Sequence, residues 1–411
     1  MTEGPYKLPE GWRWVRLGEV TRVFSGSTAP QDKQYFERGT IPFVRVQDLG
    51  RYGITTSLTE TSDKVNERAI RELRLVKASK GTILFPKSGA AILTNSRAIL
   101  GEDAYIVSHL AAVEPLHDVL ETLWAFYWLC TVDMGRYIDN PAYPSLRLSR
   151  IKELLIPLPP LEEQRRIVAK VEELMSRIRE AKRLRQEAKE EAERLWQSVL
   201  VQTFPRPGQD LPEGWRWVRL GEVCKTKMGA TPSTKVSNYW DPPEIVWVTP
   251  EDMEKGELNF VASSRRLISS KGLKKIGARL FPKGTVLLST TATIGKVGVA
   301  LKPLSANQQI SALTCIANDD PLFVAYYLLS LGERGLRRLG GTATATHINQ
   351  TNLRLLPIPL PPLEEQRRIV AHLQAVQEKI KALKEAQAQT EAELKRLEQA
   401  ILDKAFRGEL Q

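Results

Sequence analysis

The segment LPEGWRWVRLGEV occupies Leu8 to Val20 and returns letter for letter from Leu211 to Val223, 203 positions later. A second block, IPLPPLEEQRRIVA, fills Ile156 to Ala169 and recurs unchanged from Ile358 to Ala371, 202 positions later. The chain is one unit of about two hundred residues written twice. Its 411 residues suit two or three domains better than a single core.

Between these anchors the copies agree in outline and differ in detail. Pro42-Phe43-Val44-Arg45-Val46-Gln47-Asp48 answers to Val246-Trp247-Val248-Thr249-Pro250-Glu251-Asp252, and Lys80-Gly81-Thr82-Ile83-Leu84 to Lys283-Gly284-Thr285-Val286-Leu287. Beyond that point FPKSGAAILTNSRAIL stands in one copy and LSTTATIGKVGVALKP in the other. A constant frame with an altered middle is the pattern of a shared scaffold carrying two different recognition surfaces. Runs such as IPFVRV, TILF, IVWV and TVLLST, bounded by Gly, Pro, Ser and Asp, predict short strands. ETLWAFYWLCTVDMGRYI and PLFVAYYLLSLGERGLRRL predict one helical stretch per copy, so each middle is expected to be a compact, strand-rich α+β domain.

Each middle gives way to a long helix, announced by Pro159-Pro160 and Pro361-Pro362. Sevens counted from Ile167 give Leu174, Ala181, Ala188 and Leu195; from Val171 they give Ile178, Arg185, Ala192 and Val199. The second copy gives Ile369, Val376, Leu383, Thr390 and Leu397, with Leu373, Ile380, Gln387, Leu394 and Ile401 on the other line. Its flaws, Gln387 and Thr390, lie near the level of Arg185. Two helices of about 40 residues, each about 60 Å long at 1.5 Å per residue, are expected to pack on each other within the chain, where the mate is already tethered, the alternative being a coiled coil with a separate protein or a second copy. The predicted division is strand-rich domains at 1–157 and 204–359, with helices at 158–203 and 360–411. If the pair is antiparallel, the two domains are related by a pseudo-two-fold axis and the helices hold them apart as a ruler.

Lys and Arg number 59 against 48 Asp and Glu, a net charge of +11 that favours an anionic partner. The longest nearly apolar run, LWAFYWLC at 123–130, is far short of the roughly 18 residues a membrane span needs, and the amino terminus has no secretory pattern. A cytoplasmic setting without membrane association is expected. Cys130, Cys224 and Cys315, with four scattered histidines, suggest neither a zinc site nor a disulfide framework. Two similar domains on a basic chain suggest reading two stretches of duplex DNA, and their differing interiors predict a bipartite, asymmetric target. The alternative is a coiled-coil scaffold that does not bind DNA; it predicts no salt-dependent affinity for duplex.

The motifs L-P-E-G-W-x-W-V-x-L-G-E-V before each middle, G-T-I-L or G-T-V-L with T-A-T-I-G-K-V-G inside the second, and I-P-L-P-P-L-E-E-Q-R-R-I-V after each resemble those of the specificity (S) subunit of type I restriction–modification systems. The resemblance covers essentially the whole chain. It implies two target recognition domains separated by an antiparallel pair of long coiled-coil helices, in a chain without catalysis or cofactors of its own. It also implies partners: two modification (methyltransferase) subunits, which would use S-adenosylmethionine to methylate adenine N6, and restriction (translocase and nuclease) subunits, which would use ATP and Mg. Only the repeated blocks LPEGWRWVRLGEV and PLPPLEEQRRIVA could offer one docking surface twice. Phe85-Pro86-Lys87-Ser88-Gly89 departs from the more typical Leu288-Ser289-Thr290-Thr291-Ala292 of the second copy.

Several look-alikes fall short of chemistry. Asn140-Pro141-Ala142-Tyr143 and Asp241-Pro242-Pro243-Glu244 each lack a part of the adenine-methyltransferase signature. Gly295-Lys296 lacks the leading Gly and following Ser or Thr of a phosphate loop, and Pro250-Glu251-Asp252-Met253-Glu254-Lys255 reads as a turn. Candidate DNA contacts are Arg45, Gln47, Lys87, Ser88, Asn95, Ser96, Arg97, Tyr143 and Arg147 in the first domain. In the second they are Thr249, Thr290, Thr291, Thr293, Lys296, Asn307, Gln308, Gln309, Thr346 and His347. Trp12, Trp14, Trp215 and Trp217 are expected to serve packing.

Overall fold

The computed structural model describes residues 4–52, 54–140, 142–316, 319–339 and 347–410. The chain divides into two compact units, one of residues 1–184 with 390–411 and one of residues 185–389. The expected strand-rich middles fall one to each unit, and both units draw on both long helices.

In each unit the two repeated sequence blocks are strand partners. Arg13–Arg16 runs antiparallel to Leu155–Leu158 with Trp14 opposite Pro157, and Arg216–Arg219 runs antiparallel to Pro357–Leu360 with Trp217 opposite Pro359. Segments about 140 positions apart thus form one ribbon at the mouth of the helix. A substitution in either strand would be felt by the other across the ladder.

Behind the ribbon stands a five-stranded sheet. Its order in the first unit is Thr21–Ser25, Leu110–Pro115, Ile83–Pro86, Arg97–Leu100, Ile54–Leu58, and in the second Cys224–Met228, Ile310–Cys315, Val286–Ser289, Val297–Ala300, Leu258–Val261. Only the last pair of each sheet is parallel. A smaller sheet follows the same plan: Asp63–Val65, Ile41–Val44, Ala104–Ile106 and Lys77–Ala78 in the first unit, Leu267–Ile268, Ile245–Val248 and Ser305–Ala306 in the second. The parallel step from Ile41–Val44 to Ala104–Ile106 recurs as Ile245–Val248 to Ser305–Ala306.

The expected helical stretches are Thr122–Thr131 and Pro321–Leu339, the latter interrupted at Gly332, whose φ of 59° only glycine adopts freely. Trp124 to Cys130 are all buried, as are Phe323 to Leu329, so the first helix and the stretch of the second before Gly332 have no polar stripe, whereas Arg334 and Arg338 beyond Gly332 are exposed. Trp12 packs edge-on against Trp124 and Trp215 against Phe323, as befits packing residues.

The long helices are Leu161–Thr203 and Leu363–Arg407. Each opens on a proline carbonyl: Pro160 O accepts from Glu163 and Gln164, and Pro362 O from Glu365 and Gln366. Glu162, Glu163, Glu364 and Glu365 place negative charge against the positive end of the helix dipole. Inside the first unit, Lys182 Nζ meets Glu398 Oε1 at 2.7 Å, while Phe406 lies against Trp124 near the helix start. Inside the second, Arg185 donates to the Gln387 carbonyl, whereas Trp196 and Gln377 both bond the Gly256 to Leu258 strand entry. The helices are antiparallel in both.

One expected heptad line holds and the other drifts. Val171, Ile178, Arg185, Ala192 and Val199 remain buried or half-buried, as do Leu373, Ile380, Gln387, Leu394 and Ile401. Leu195, Leu383 and Leu397 are exposed, and Trp196 and Leu200 are buried instead. An undistorted helix turns about 20° per heptad away from a strict seven-residue repeat. Toward its ends the seam also faces a globular core, where Trp196 meets Tyr326.

Candidate nucleic-acid interface

The point where the two sequences diverge is a point where the two backbones agree. In the first unit the strand Ile83–Pro86 runs out into Lys87 and Ser88. Lys87 N–H donates to His109 O at 2.9 Å, Leu146 N–H donates to Lys87 O at 2.8 Å, and Ser88 pairs with Ser145. In the second unit Val286–Ser289 runs out into Thr290 and Thr291. Thr290 N–H donates to Gln309 O at 2.8 Å, Ile348 N–H donates to Thr290 O at 2.8 Å, and Thr291 pairs with His347. One lattice therefore holds Lys87, Ser88, His109 and Ser145 in one unit and Thr291, Gln309 and His347 in the other, the last three around a buried Thr290. The departure at Phe85-Pro86-Lys87 changes side chains and leaves this hydrogen-bond frame intact.

This lattice gathers expected residues that lie far apart in sequence. Gly89 N–H donates to Pro144 O at 2.8 Å, which brings Tyr143, 81% exposed, and Arg147 into one loop cluster with Lys87 and Ser88. Arg147 pairs with Asp139 at 3.0 Å in solvent, so a phosphate could compete for it. His109, whose Nδ1 lies 3.0 Å from Ser88 Oγ, and Ser145 were not anticipated. The repeat contained the signal: SHLAAV in the first copy lies at the place of QQISAL in the second.

A second frame hangs on one carboxylate per unit. Asp48 accepts the Arg45 N–H at 2.7 Å and the Ser62 N–H at 2.8 Å; Asp252 accepts the Thr249 N–H at 2.8 Å and the Arg265 N–H at 2.8 Å. Beside each lies a guanidinium against two aromatic rings, reached from different chain positions. Arg45 sits 5.9 Å from the Phe36 ring and 5.7 Å from the Phe43 ring, and is ion-paired to Asp63. Arg266, also unanticipated, sits 3.9 Å from the Trp240 ring and 5.3 Å from the Trp247 ring.

In the second unit the two frames meet at an open cleft of about 300 Å³ lined by Thr249, Arg265, Arg266, Thr293, Asn307 and Gln309 over the Trp247 ring. Four of these are expected contacts and the two arginines are not. Asn307, nearly buried, orients Gln309: its Nδ2 donates to Gln309 Oε1 at 2.8 Å, and its Oδ1 accepts the Gln309 N–H at 3.0 Å.

Other expected contacts have different work. Arg97 is 0% exposed; its guanidinium donates to the carbonyls of Ser96, Leu129 and Val132 and lies 4.9 Å from the Phe85 ring. Burial pulls its pKa down to about 10, still charged at neutrality, and the carbonyls at the end of Thr122–Thr131 receive that charge. Ser96 is buried against Thr94, and Asn95 donates to Cys130 O while holding a φ of 53°. Thr290 is buried with Oγ1 3.1 Å from Ser311 Oγ, and Lys296 Nζ donates to Pro250 O at 2.6 Å. Arg97, Ser96 and Thr290 are thus withdrawn as direct contacts, because no surface of theirs is open to a ligand. Gln47, Gln308 and His347 are exposed, and Thr346 lies outside the described residues.

The look-alikes resolve in the same way. Asp252 is occupied by the Thr249 and Arg265 amides at the start of the single turn Pro250–Asp252. Cys224 and Cys315, remote in sequence, face each other on neighbouring strands as free thiols with Sγ atoms 3.5 Å apart. Among the described residues no helix is long and apolar enough to cross a membrane.

Two units on one backbone plan, differing in the polar side chains presented at equivalent positions, define a tandem recognition protein. The family model described as type I restriction modification DNA specificity domain matches residues 9–190 and again 212–393. The chain belongs to that family, and it is a DNA specificity subunit. The specificity subunit of the type I restriction enzyme MjaIX from Methanocaldococcus jannaschii is 32% identical over 166 residues, 40% of this chain and 38% of that relative. The crystal structure of the HsdS subunit from Thermoanaerobacter tengcongensis is 37% identical, with 100% of both chains covered and a TM-score of 0.60. A chain from a structural study of complex assembly and conformational transition of the type I R-M system is 35% identical, covers 99% of this chain and 100% of that one, and has a TM-score of 0.80.

Proposed function

We propose that each unit reads one short word of a bipartite, asymmetric duplex target, and that the chain addresses partner subunits to that target without catalysing a reaction itself. The observation that carries the reading is the shared lattice around Lys87 and Thr290, which holds backbone geometry constant while changing the groups offered to a ligand. Hydrogen-bonding side chains on a fixed frame are what base readout requires, and a basic surplus supplies the phosphate term. The length of the helices sets the number of unread bases between the words.

Two modification subunits dock on the twice-present ribbon and helix start, where Glu162, Arg165 and Arg166 in one unit and Glu364, Arg367 and Arg368 in the other are exposed. S-adenosylmethionine belongs to those subunits, and ATP and Mg to the restriction subunits. Light scattering of the reconstituted modification complex should give two modification subunits per chain; one would overturn the docking argument. Sequencing of methylated adenines in a strain expressing this chain with its partners should reveal two different words around a fixed gap. A single continuous motif would refute the reading, as would methylation or cleavage by the chain alone.

A further inference from the structure

We propose that Arg266 is the guanine-reading residue of the second unit, and that the first unit carries the same device in a neutralised form at Arg45. The proposal rests on the reading of each unit as a word reader and says which base one of the words must contain.

The two guanidinium groups occupy equivalent aromatic cages. Phe36 and Phe43 in the first unit stand at the places of Trp240 and Trp247 in the second, each 204 positions on, and the Asp48 and Asp252 frames fix the chain on either side. What differs is the origin of the cation and its counter-charge. In the first unit the cation comes from Arg45, at the end of Ile41–Val44, and Asp63 across the ladder forms an ion pair with it. In the second unit these two places hold Thr249 and Arg266. No carboxylate is paired with Arg266 among the described residues, while the neighbouring Glu251 is taken by Arg265 at 3.4 Å. The counter-ion position of one unit is the cation position of the other.

The Arg266 cage is rigid. Trp247 Nε1 donates to Ala230 O at 2.9 Å, Trp240 Nε1 donates to Ser233 O at 3.1 Å, and the rings meet edge-on at 5.1 Å. A guanidinium stacked on an indole keeps its planar fork of N–H donors in a defined direction, so little rotamer freedom remains to be lost on binding. The same cleft holds Gln309, whose Oε1 is taken by Asn307, leaving its Nε2 donor for a ligand. Glu251 also lines the cleft, but its carboxylate is paired with Arg265, so the groups turned to a ligand beside Arg266 are chiefly donors. In the major groove only guanine presents two adjacent acceptors, O6 and N7, and a bidentate arginine is their usual partner. An arginine already ion-paired, as Arg45 is, must first give up its carboxylate.

The test uses the reconstituted modification complex and a library of duplexes randomised within both words, with adenine methylation as readout. Arg266→Lys keeps the charge and most of the apolar stem but removes the fork; Arg266→Ala removes both. Both variants should lose about fivefold to a hundredfold discrimination at a single G·C pair of one word, with the other word unchanged. A uniform drop across all sequences, rescued by Lys, would mean a phosphate contact and overturn the proposal. So would unchanged words together with a lowered melting temperature, which marks packing alone. A wild-type target without a G·C pair in either word would also sink it. Should the wild-type complex show no bipartite target at all, the two-word reading fails first, and the two failures are thereby distinguished.

Discussion

The side-chain carbonyl of Gln164 accepts the backbone N–H of Glu121 at 2.9 Å. Its Nε2 donates to Val119 O at 3.0 Å and to Pro159 O at 2.9 Å, so one buried amide ties the first turn of a long helix to the entry of Thr122–Thr131. Gln366 repeats the arrangement on Asp320 N–H at 2.9 Å and Pro361 O at 3.0 Å. The glutamine of the repeated LEEQRR block is thus a joint between helix and recognition unit. Part of that block's constancy has a structural cause, while its exposed charges pair with one another along the helix, Glu162 with Arg165 and Glu364 with Arg367.

Gln164→Ala is expected to destabilise its unit by about 2–4 kcal/mol, since buried backbone groups lose their partners. Gln366→Ala should act alike on the other unit. Urea unfolding followed by tryptophan fluorescence checks this, and the DNA words read by the folded complex should not change.

Arg97→Ala should cost about 3 kcal/mol or more, by emptying a buried site and orphaning the carbonyls it holds. Because Arg97 makes no phosphate contact, the dependence of DNA affinity on salt concentration should keep its slope. A slope lowered by about one would restore Arg97 to the interface.

Burial pushes the Cys130 thiol up to about 12, and its neighbour Cys315 together with burial raises Cys224 as well. Neither should be alkylated by iodoacetamide at pH 8 until the chain is unfolded. The raised Cys130 value gives stability that is complete below the unfolded thiol's pKa, about 9, and is lost as pH rises toward about 12. Cys130→Ala should make the fall of stability over that window less steep, while the buried Tyr326 and Tyr327, also raised, keep part of it.

Inserting one heptad between Arg177 and Trp196, with a matching heptad in the second helix, adds about 10 Å at 1.5 Å per residue. The tolerated gap between words should grow by about three base pairs at 3.4 Å each, with both words unchanged. An unchanged gap in the methylated motif would separate helix length from target spacing.

The repeat, the strand-rich middles, the two long helices and one line of the seam could all be read from the residues, because each rests on local pattern or self-comparison. Val171 to Val199 stayed on the seam, while Leu195 and Leu397 left it as the helices turned and met the cores. Which polar residues face a ligand could not be read this way. Arg97 looked like a DNA contact until long-range strand pairing placed it beneath Thr122–Thr131, and Arg266 looked unremarkable until Trp240 and Trp247 came together beneath it. Pattern fixes which face of an element is apolar. The direction of one polar side chain depends on neighbours that reach it only when segments such as Val286–Ser289 and Ile310–Cys315 pair across the sheet.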